Sequence, residues 1–424
     1  MIDLSVTARP LEERVVYIPR MNYGSALLMA AAFRSVGVKA EVLPESAPDS
    51  LRLAGAHTSG DECLPQRVTL AGILQVINQP GFDPARAAFL MATAHGPCRF
   101  GQYSTFFRKI FNNLNCSEMM IVSPTTRDGY SGFGINDKGF IRTAWRALVI
   151  ADILLRMLLK TRPYEQIAGQ TDRLYEDALQ RVNGVLAVRG CSHSHRMSRL
   201  VDALTEIRDS FRRLPLKAPG SKPLIGAVGE IYCRLDEGSN DEIIRHIEEY
   251  GGEVWLSGIV EWVEYTNEEV VLNLRASGRS LSLARGAFEL RRLIQRKDEH
   301  ALMEQFREDF RGYEEPANIN EIFRRSLHYL PSYATLGEMV INTGRAVYLH
   351  EKGVDGIIDI SPFTCMNAIV SEAIYSKISR DHDKIPIKVL YFDGKARDWN
   401  QDVEMFMELV RDYRARKRQR RGSP

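Results

Sequence analysis

Val15-Val16-Tyr17-Ile18-Pro19-Arg20-Met21-Asn22-Tyr23-Gly24-Ser25-Ala26-Leu27-Leu28-Met29-Ala30-Ala31-Ala32-Phe33-Arg34-Ser35-Val36-Gly37 is the stretch on which the fold turns. Val15 to Ile18 reads as a short buried strand and Pro19 to Gly24 as a turn. Ser25 to Val36, rich in Ala, Leu and Met, reads as a helix that Gly37 ends. Working outward, Ala40 to Leu43 is a strand, Gln66 to Ile77 a helix, Ala87 to Ala92 a strand, Tyr103 to Leu114 a helix and Met119 to Ser123 a strand. Strands that alternate with helices in this way build right-handed βαβ units on a parallel sheet.

From Lys138 to Leu216 the pattern changes to long amphipathic helices, such as Phe140 to Lys160 and Met197 to Leu214, and Lys217 to Pro223 reads as a linker. Alternation then resumes. Pro223 to Tyr232 is expected as a strand, Asn240 to Tyr250 as a helix, Glu253 to Leu256 as a strand, and much of Ser282 to Lys352 as helices. Gly356 to Ile360 (strand), Met366 to Ser379 (helix), Lys388 to Phe392 (strand) and Gln401 to Arg416 (helix) close the chain. The expected architecture is α/β: two doubly wound, Rossmann- or flavodoxin-like parallel-sheet lobes with helical insertions. The expected boundaries are 1–134 for the first lobe, 135–220 for the helical insertion and linker, and 221–424 for the second lobe with its helical elaboration.

With 424 residues the chain exceeds what one hydrophobic core organises, in keeping with more than one domain. Its 44% hydrophobic and 26% charged residues exclude wholesale disorder. A net charge of +2 gives no field for holding nucleic acid along the body; only the tail, Arg414 to Arg421, is basic, and it reads as the solvated end of a terminal helix. The most apolar stretch, Trp145 to Leu159, is interrupted by Arg146, Asp152 and Arg156, so no membrane span is expected. Met1 to Val6 carries no secretion pattern, and a cytoplasmic location is expected.

Six cysteines occur without a C-x-x-C pair, which disfavours a zinc ribbon and a disulfide framework. Three fall where ligands of open parallel sheets sit, beyond strand carboxyl ends where helices begin. Cys98 lies in Thr93-Ala94-His95-Gly96-Pro97-Cys98-Arg99, Cys63 in Gly60-Asp61-Glu62-Cys63-Leu64-Pro65, and Cys365 in Ser361-Pro362-Phe363-Thr364-Cys365. A helix N-terminus favours thiolate over thiol, so these are positions for ligands; loop cysteines that fall there by chance are the alternative. Cys116 reads as structural. Cys191, in Cys191-Ser192-His193-Ser194-His195, lacks a fourth ligand nearby. Cys233 is read as ending a strand, where it approaches the same crevice.

Several segments resemble the 2-hydroxyacyl-CoA dehydratase family, and more closely its relatives associated with acyl-CoA dehydratase activases, the double-cubane cluster proteins among them. They are Gly60 to Pro65, Gly96-Pro97-Cys98-Arg99-Phe100-Gly101-Gln102-Tyr103, Val228-Gly229-Glu230-Ile231-Tyr232, Pro362-Phe363-Thr364-Cys365-Met366 and Tyr391-Phe392-Asp393-Gly394, in the family's order. The resemblance implies an oxygen-sensitive iron-sulfur cluster, either 4Fe-4S or a double-cubane 8Fe type, in the crevice between the lobes. Its ligands would be Cys63, Cys98 and Cys365, with Cys233 a possible addition.

The resemblance also implies a separate ATP-hydrolysing activase with its own cluster, which delivers low-potential electrons, and a related subunit or second copy is a further expected partner. The chain has no G-x-x-x-x-G-K-[ST] loop, so ATP would be used by that partner. Glu62, His95, Arg99 and Tyr103 are weak candidates for proton donors or for holding a substrate carboxylate. The leading expectation is a cluster-dependent dehydratase or reductase acting on a small substrate such as an acyl-CoA. The alternatives are a non-catalytic electron-transfer or accessory subunit and a metal-free small-molecule binding protein.

Overall fold

The computed structural model describes residues 9–45, 48–94, 96–126, 129–130, 132–135, 139–278, 282–331 and 337–422. Its contacts divide the chain into two compact units: Met1–Ala151, Leu179–Thr205 and Glu269–Leu302 form one, and Asp152–Ala178, Glu206–Glu268 and Met303–Pro424 the other. The helical segment 135–220 contributes residues to both.

In the first unit a parallel four-stranded sheet has the order β2-β1-β3-β4, with β1 Val15–Ile18, β2 Lys39–Val42, β3 Ala87–Leu90 and β4 Met120–Val122. The crossovers are α1 (Tyr23–Ser35), α2 with α3 (Pro48–Gly55, Leu64–Ile77) and α4 (Tyr103–Asn113). Asn22 accepts from Ser25 N–H at 2.9 Å, which caps α1 two residues ahead of the expected start. β3 is buried along its whole length and separates two cores: Ala88 and Leu90 meet Phe33, Phe133 and Phe140, and Ala87 and Phe89 meet Phe107 and Phe111. Burial on both faces explains why β3 reads as a continuous apolar run.

The second unit repeats the plan in the order β6-β5-β7-β8, with β5 Leu224–Gly229, β6 Glu253–Leu256, β7 Gly356–Pro362 and β8 Ile387–Phe392. In both sheets the strand order reverses beside the first strand, between β1 and β3 and between β5 and β7, where open α/β sheets take their ligands. Around this sheet lie α8 (Ile231–Leu235), α9 (Ile243–Glu249), α10 (Ile259–Ala276), α12 (Asn320–Ser326), α13 (Glu338–Glu351), α14 (Met366–Asp381) and α15 (Asn400–Gly422). The remaining helices are α5 (Phe140–Thr161), α6 (Gln170–Leu186), α7 (His193–Arg212) and α11 (Leu283–Met303). Among the described residues no helix is long and apolar enough to cross a membrane.

One expected strand is shorter than its sequence pattern. Apolar residues run on through Ile231-Tyr232-Cys233, but Gly229, at φ 123°, is pressed against Ile360, and Glu230 then accepts from Cys233 N–H at 2.8 Å and caps α8. Cys233 is therefore a helical residue and does not end a strand.

Candidate functional site

Cys63, Cys98 and Cys365 each occupy the same local position, a helix N-cap with extended backbone. Cys63 (φ −67°, ψ 153°) precedes α3, Cys98 (φ −68°, ψ 137°) precedes the 3₁₀ turn Arg99–Gln102 that leads into α4, and Cys365 (φ −68°, ψ 119°) precedes α14. Cys63 and Cys365 are buried, and Cys98 is exposed. The helix-terminal dipole at such positions favours negative charge on sulfur.

In the first unit two loops meet. The Tyr103 hydroxyl lies 2.5 Å from Cys63 Sγ, and Arg99 Nη1 donates to the Asp61 carbonyl at 2.6 Å, so residues just after Cys98 are tied to the loop that carries Cys63. Gly101 permits this path: a Cβ there would stand 2.6 Å from the Ala94 carbonyl oxygen. Tyr103 itself is buried, with its ring edge-on to Phe100.

Glu62 is occupied in shaping the turn, where it accepts from the N–H groups of Ser59 and Gly60 at 3.0 to 3.1 Å. Slight burial pushes its carboxyl up, but those bonds outweigh it and hold the group below its usual range. His95 lies outside the described residues.

The second unit surrounds Cys365 differently. Thr364, immediately before it, has φ 64°, a left-handed conformation that a β-branched residue adopts only under constraint. Nearby, around the carboxyl end of β5 and reaching into β7 at Asp359, lies a buried ionic cluster. Glu338 accepts from Ile231 N–H at 2.7 Å, and Arg234 stands 3.9 Å from Glu338 while donating to the carbonyls of Gly229 and Ser257. Asp359, fully buried, accepts from the Ser361 and Tyr375 hydroxyls at 2.5 Å each.

Burial pushes Glu338 well above the usual carboxylate range, and the neighbouring Glu230 adds to this; burial raises Glu230 and Asp359 as well. The Cys233 thiol is driven up by burial first, then by the negative charges of Glu230, Asp236, Cys365 and Asp359. Cys233 is thus within electrostatic reach of Cys365.

Perturbed carboxyls gathered at strand carboxyl ends are a mark of functional sites. Of this cluster only Glu230 fell within a segment singled out from the sequence; Arg234, Glu338, Asp359 and Tyr375 did not. The one signal the sequence offers is Glu230 as a lone acid within the apolar run Leu224 to Cys233.

The remaining cysteines stand apart. Cys116 packs with Phe111 and Met119, its N–H bonded to the Phe111 carbonyl at 2.8 Å, and burial raises its thiol. Cys191 is partly exposed and precedes α7. Among the described residues, no three His, Cys, Asp or Glu side chains are grouped as a metal-holding set; Cys63 and Cys98 belong to one unit and Cys365 to the other. Neither protein-family models nor curated protein sequences match the chain.

Proposed function

We propose that the chain is a cytoplasmic iron-sulfur redox protein of the 2-hydroxyacyl-CoA dehydratase type. The observation that carries this reading is the recurrence of one arrangement, a cysteine at a helix N-cap, at all three positions that match the family's ligands. The donor chemistry fits the group. Soft thiolates suit iron-sulfur clusters, and the helix termini that follow the cysteines favour the charged form.

Cys63 and Cys98 of the first unit and Cys365 of the second would hold the cluster. Cys233 would join them in a double-cubane type. When bound, such a cluster would supply one-electron chemistry. The chain's own residues orient the sulfurs. The Tyr103 hydroxyl fixes Cys63 Sγ, and Arg99 holds the two cysteine loops of the first unit together. Electrons would come from a separate ATP-hydrolysing activase that carries its own cluster, and the substrate class is a small molecule such as a 2-hydroxyacyl-CoA.

The test is turnover of 2-hydroxyacyl-CoA thioesters by anaerobic protein mixed with an activase, reductant and MgATP, alongside Cys63→Ala, Cys98→Ala and Cys365→Ala. Each variant is expected to lose iron and activity together, whereas Cys116→Ala and Cys191→Ala keep both. Full iron in Cys365→Ala would overturn the ligand assignment. Reduction of the cluster without turnover of any thioester would make the protein an electron-transfer subunit.

A further inference from the structure

β8 is the outer strand of the second sheet, and its edge lacks the features that discourage strands from pairing. Among the described residues it is the longest of the four edge strands, six residues against three or four for β2, β4 and β6. It contains no proline, and its one charge, Lys388, is turned aside to bond Asp402 of α15 at 3.0 Å. The carbonyls of Pro386 and Phe392 accept from Ile357 and Phe363 N–H on the β7 side. Backbone groups alternate along a strand, so those of Ile387, Val389 and Tyr391 point outward.

Helices flank this edge on both faces of the sheet. Tyr391 donates to Glu372 of α14 at 2.7 Å, while Lys388 reaches α15; residues three apart in a strand lie on opposite faces, so α14 covers one face and α15 the other. Each helix presents apolar side chains on its β8 side. Ile369 lies one turn before Glu372, and Phe363, just ahead of α14, meets the Tyr391 ring edge-on at 6.4 Å. Met405 and Leu409 lie one and two turns beyond Asp402.

These four side chains are more than half exposed: Phe363 61%, Ile369 54%, Met405 51% and Leu409 58%. Of the twelve large apolar side chains exposed among the described residues, they and Met366 make five gathered around this one strand. Exposed leucines scattered singly are ordinary, whereas a patch that borders an open strand marks a contact surface. Five such side chains present on the order of 300 Å² of apolar surface. A specific interface uses about 800 Å² per partner, a little over half of it apolar. The half-buried Ile387, Val389 and Tyr391 lie between the helices and extend the patch toward that size.

The occupant has to bring a strand edge with apolar helices on either side. The β8 face of a second copy has that form, and joining it to itself about a two-fold axis is the arrangement commonest in homodimers. Charge permits the pairing, because the one cation on β8 is neutralised by Asp402 of its own copy. We propose that β8, with α14 and α15 beside it, is a self-association face through which two copies of this chain pair antiparallel, edge to edge, into one continuous sheet. The face lies wholly within the second unit and works whether or not the chain holds a cluster.

Analytical ultracentrifugation of the full chain tests this, with hydrogen exchange as a second readout. The unmodified chain is expected to sediment as a dimer. Ile369→Glu and Leu409→Glu alter exposed positions and leave the core intact; each should raise the dimer dissociation constant about a hundredfold or more, because each presses a charge into an apolar interface. Leu293→Glu, at a similarly exposed position on α11, should leave it unchanged. The amides of Ile387, Val389 and Tyr391 should be protected in the dimer and exchange quickly in Leu409→Glu. A dimer that survives both substitutions, or fast exchange of those three amides in an intact dimer, would overturn the proposal. So would a chain that is monomeric at every concentration, a result that leaves the face to a partner of different sequence.

Discussion

At the carboxyl end of the first sheet, Cys63 and Cys98 are positioned by an uncharged phenol, an arginine bonded to a backbone carbonyl, and a glutamate spent on a turn. At the same end of the second sheet, Cys365 lies near Cys233 and a buried set of Glu230, Glu338 and Asp359 with Arg234 among them. One strand order therefore carries two electrostatic settings. The acid of the first, Glu62, is held down in pKa by hydrogen bonds, and acids in the second are pushed up by burial. The lesson is that topology places the two ends alike, whereas a handful of charged side chains decides what each can do.

The sharpest way to break this comparison is Arg234→Met. It leaves the buried carboxyls of the second unit without their cation and is expected to destabilise the protein by about 3–5 kcal/mol in denaturant titrations. Its counterpart in the first unit, Arg99→Met, removes an exposed arginine and should change stability by less than about 1 kcal/mol. Equal losses would show that the two ends are electrostatically equivalent.

A second contrast is in pH dependence. Asp152 of the second unit, partly buried, accepts from Ile259 and Val260 N–H at 3.1 and 2.8 Å, and burial pushes its carboxyl up to about 6. The native state therefore binds a proton that the unfolded chain has released. Its stabilising effect is complete below pH ~4 and is lost as pH rises from about 4 through 6, by roughly 2–3 kcal/mol. Asp298 of the first unit runs the other way. Burial pushes it up, but bonds from Arg142 and Arg146 prevail and lower it, so its contribution is present above pH ~4 and lost on acidification. Denaturation between pH 3 and 7 checks both. Asp152→Asn should remove the loss between pH 4 and 6, and an unchanged slope would refute the assignment.

Much of this plan is legible in the sequence. β3 is a continuous apolar run because both of its faces are covered, and Cys63, Cys98 and Cys365 announce themselves by standing between a Gly- or Pro-bearing loop and a helix. The buried ions are not legible. Arg234, Glu338 and Arg345 have the identities and spacings of solvated helix charges, and only the packing of α8 and α13 against β5 and β7 turns them inward. The sequence pattern carries the strand past Gly229 because Ile231-Tyr232-Cys233 is apolar in either conformation. What decides between them is the cap from Glu230, a single side-chain bond.

The smallest expected effects come from single hydroxyls. Tyr375→Phe takes a donor from buried Asp359 and should cost about 2 kcal/mol, in the range for bonds to charged groups. Tyr103→Phe removes the contact to Cys63 Sγ and should cost about 1 kcal/mol in metal-free protein. A reversed order would mean that the Cys63 sulfur is the more strongly charged of the two acceptors.

The central claim is that the N-cap cysteines of both units serve one iron-sulfur group. Its most direct test is purification of the full chain under strict anaerobiosis, followed by iron and acid-labile sulfide analysis and EPR of the reduced protein. The account predicts brown, air-bleached protein with matched iron and sulfide and a cluster signal, lost alike on Cys63→Ala or Cys365→Ala. Colourless protein without iron or sulfide, or full cluster content in either variant, would contradict it.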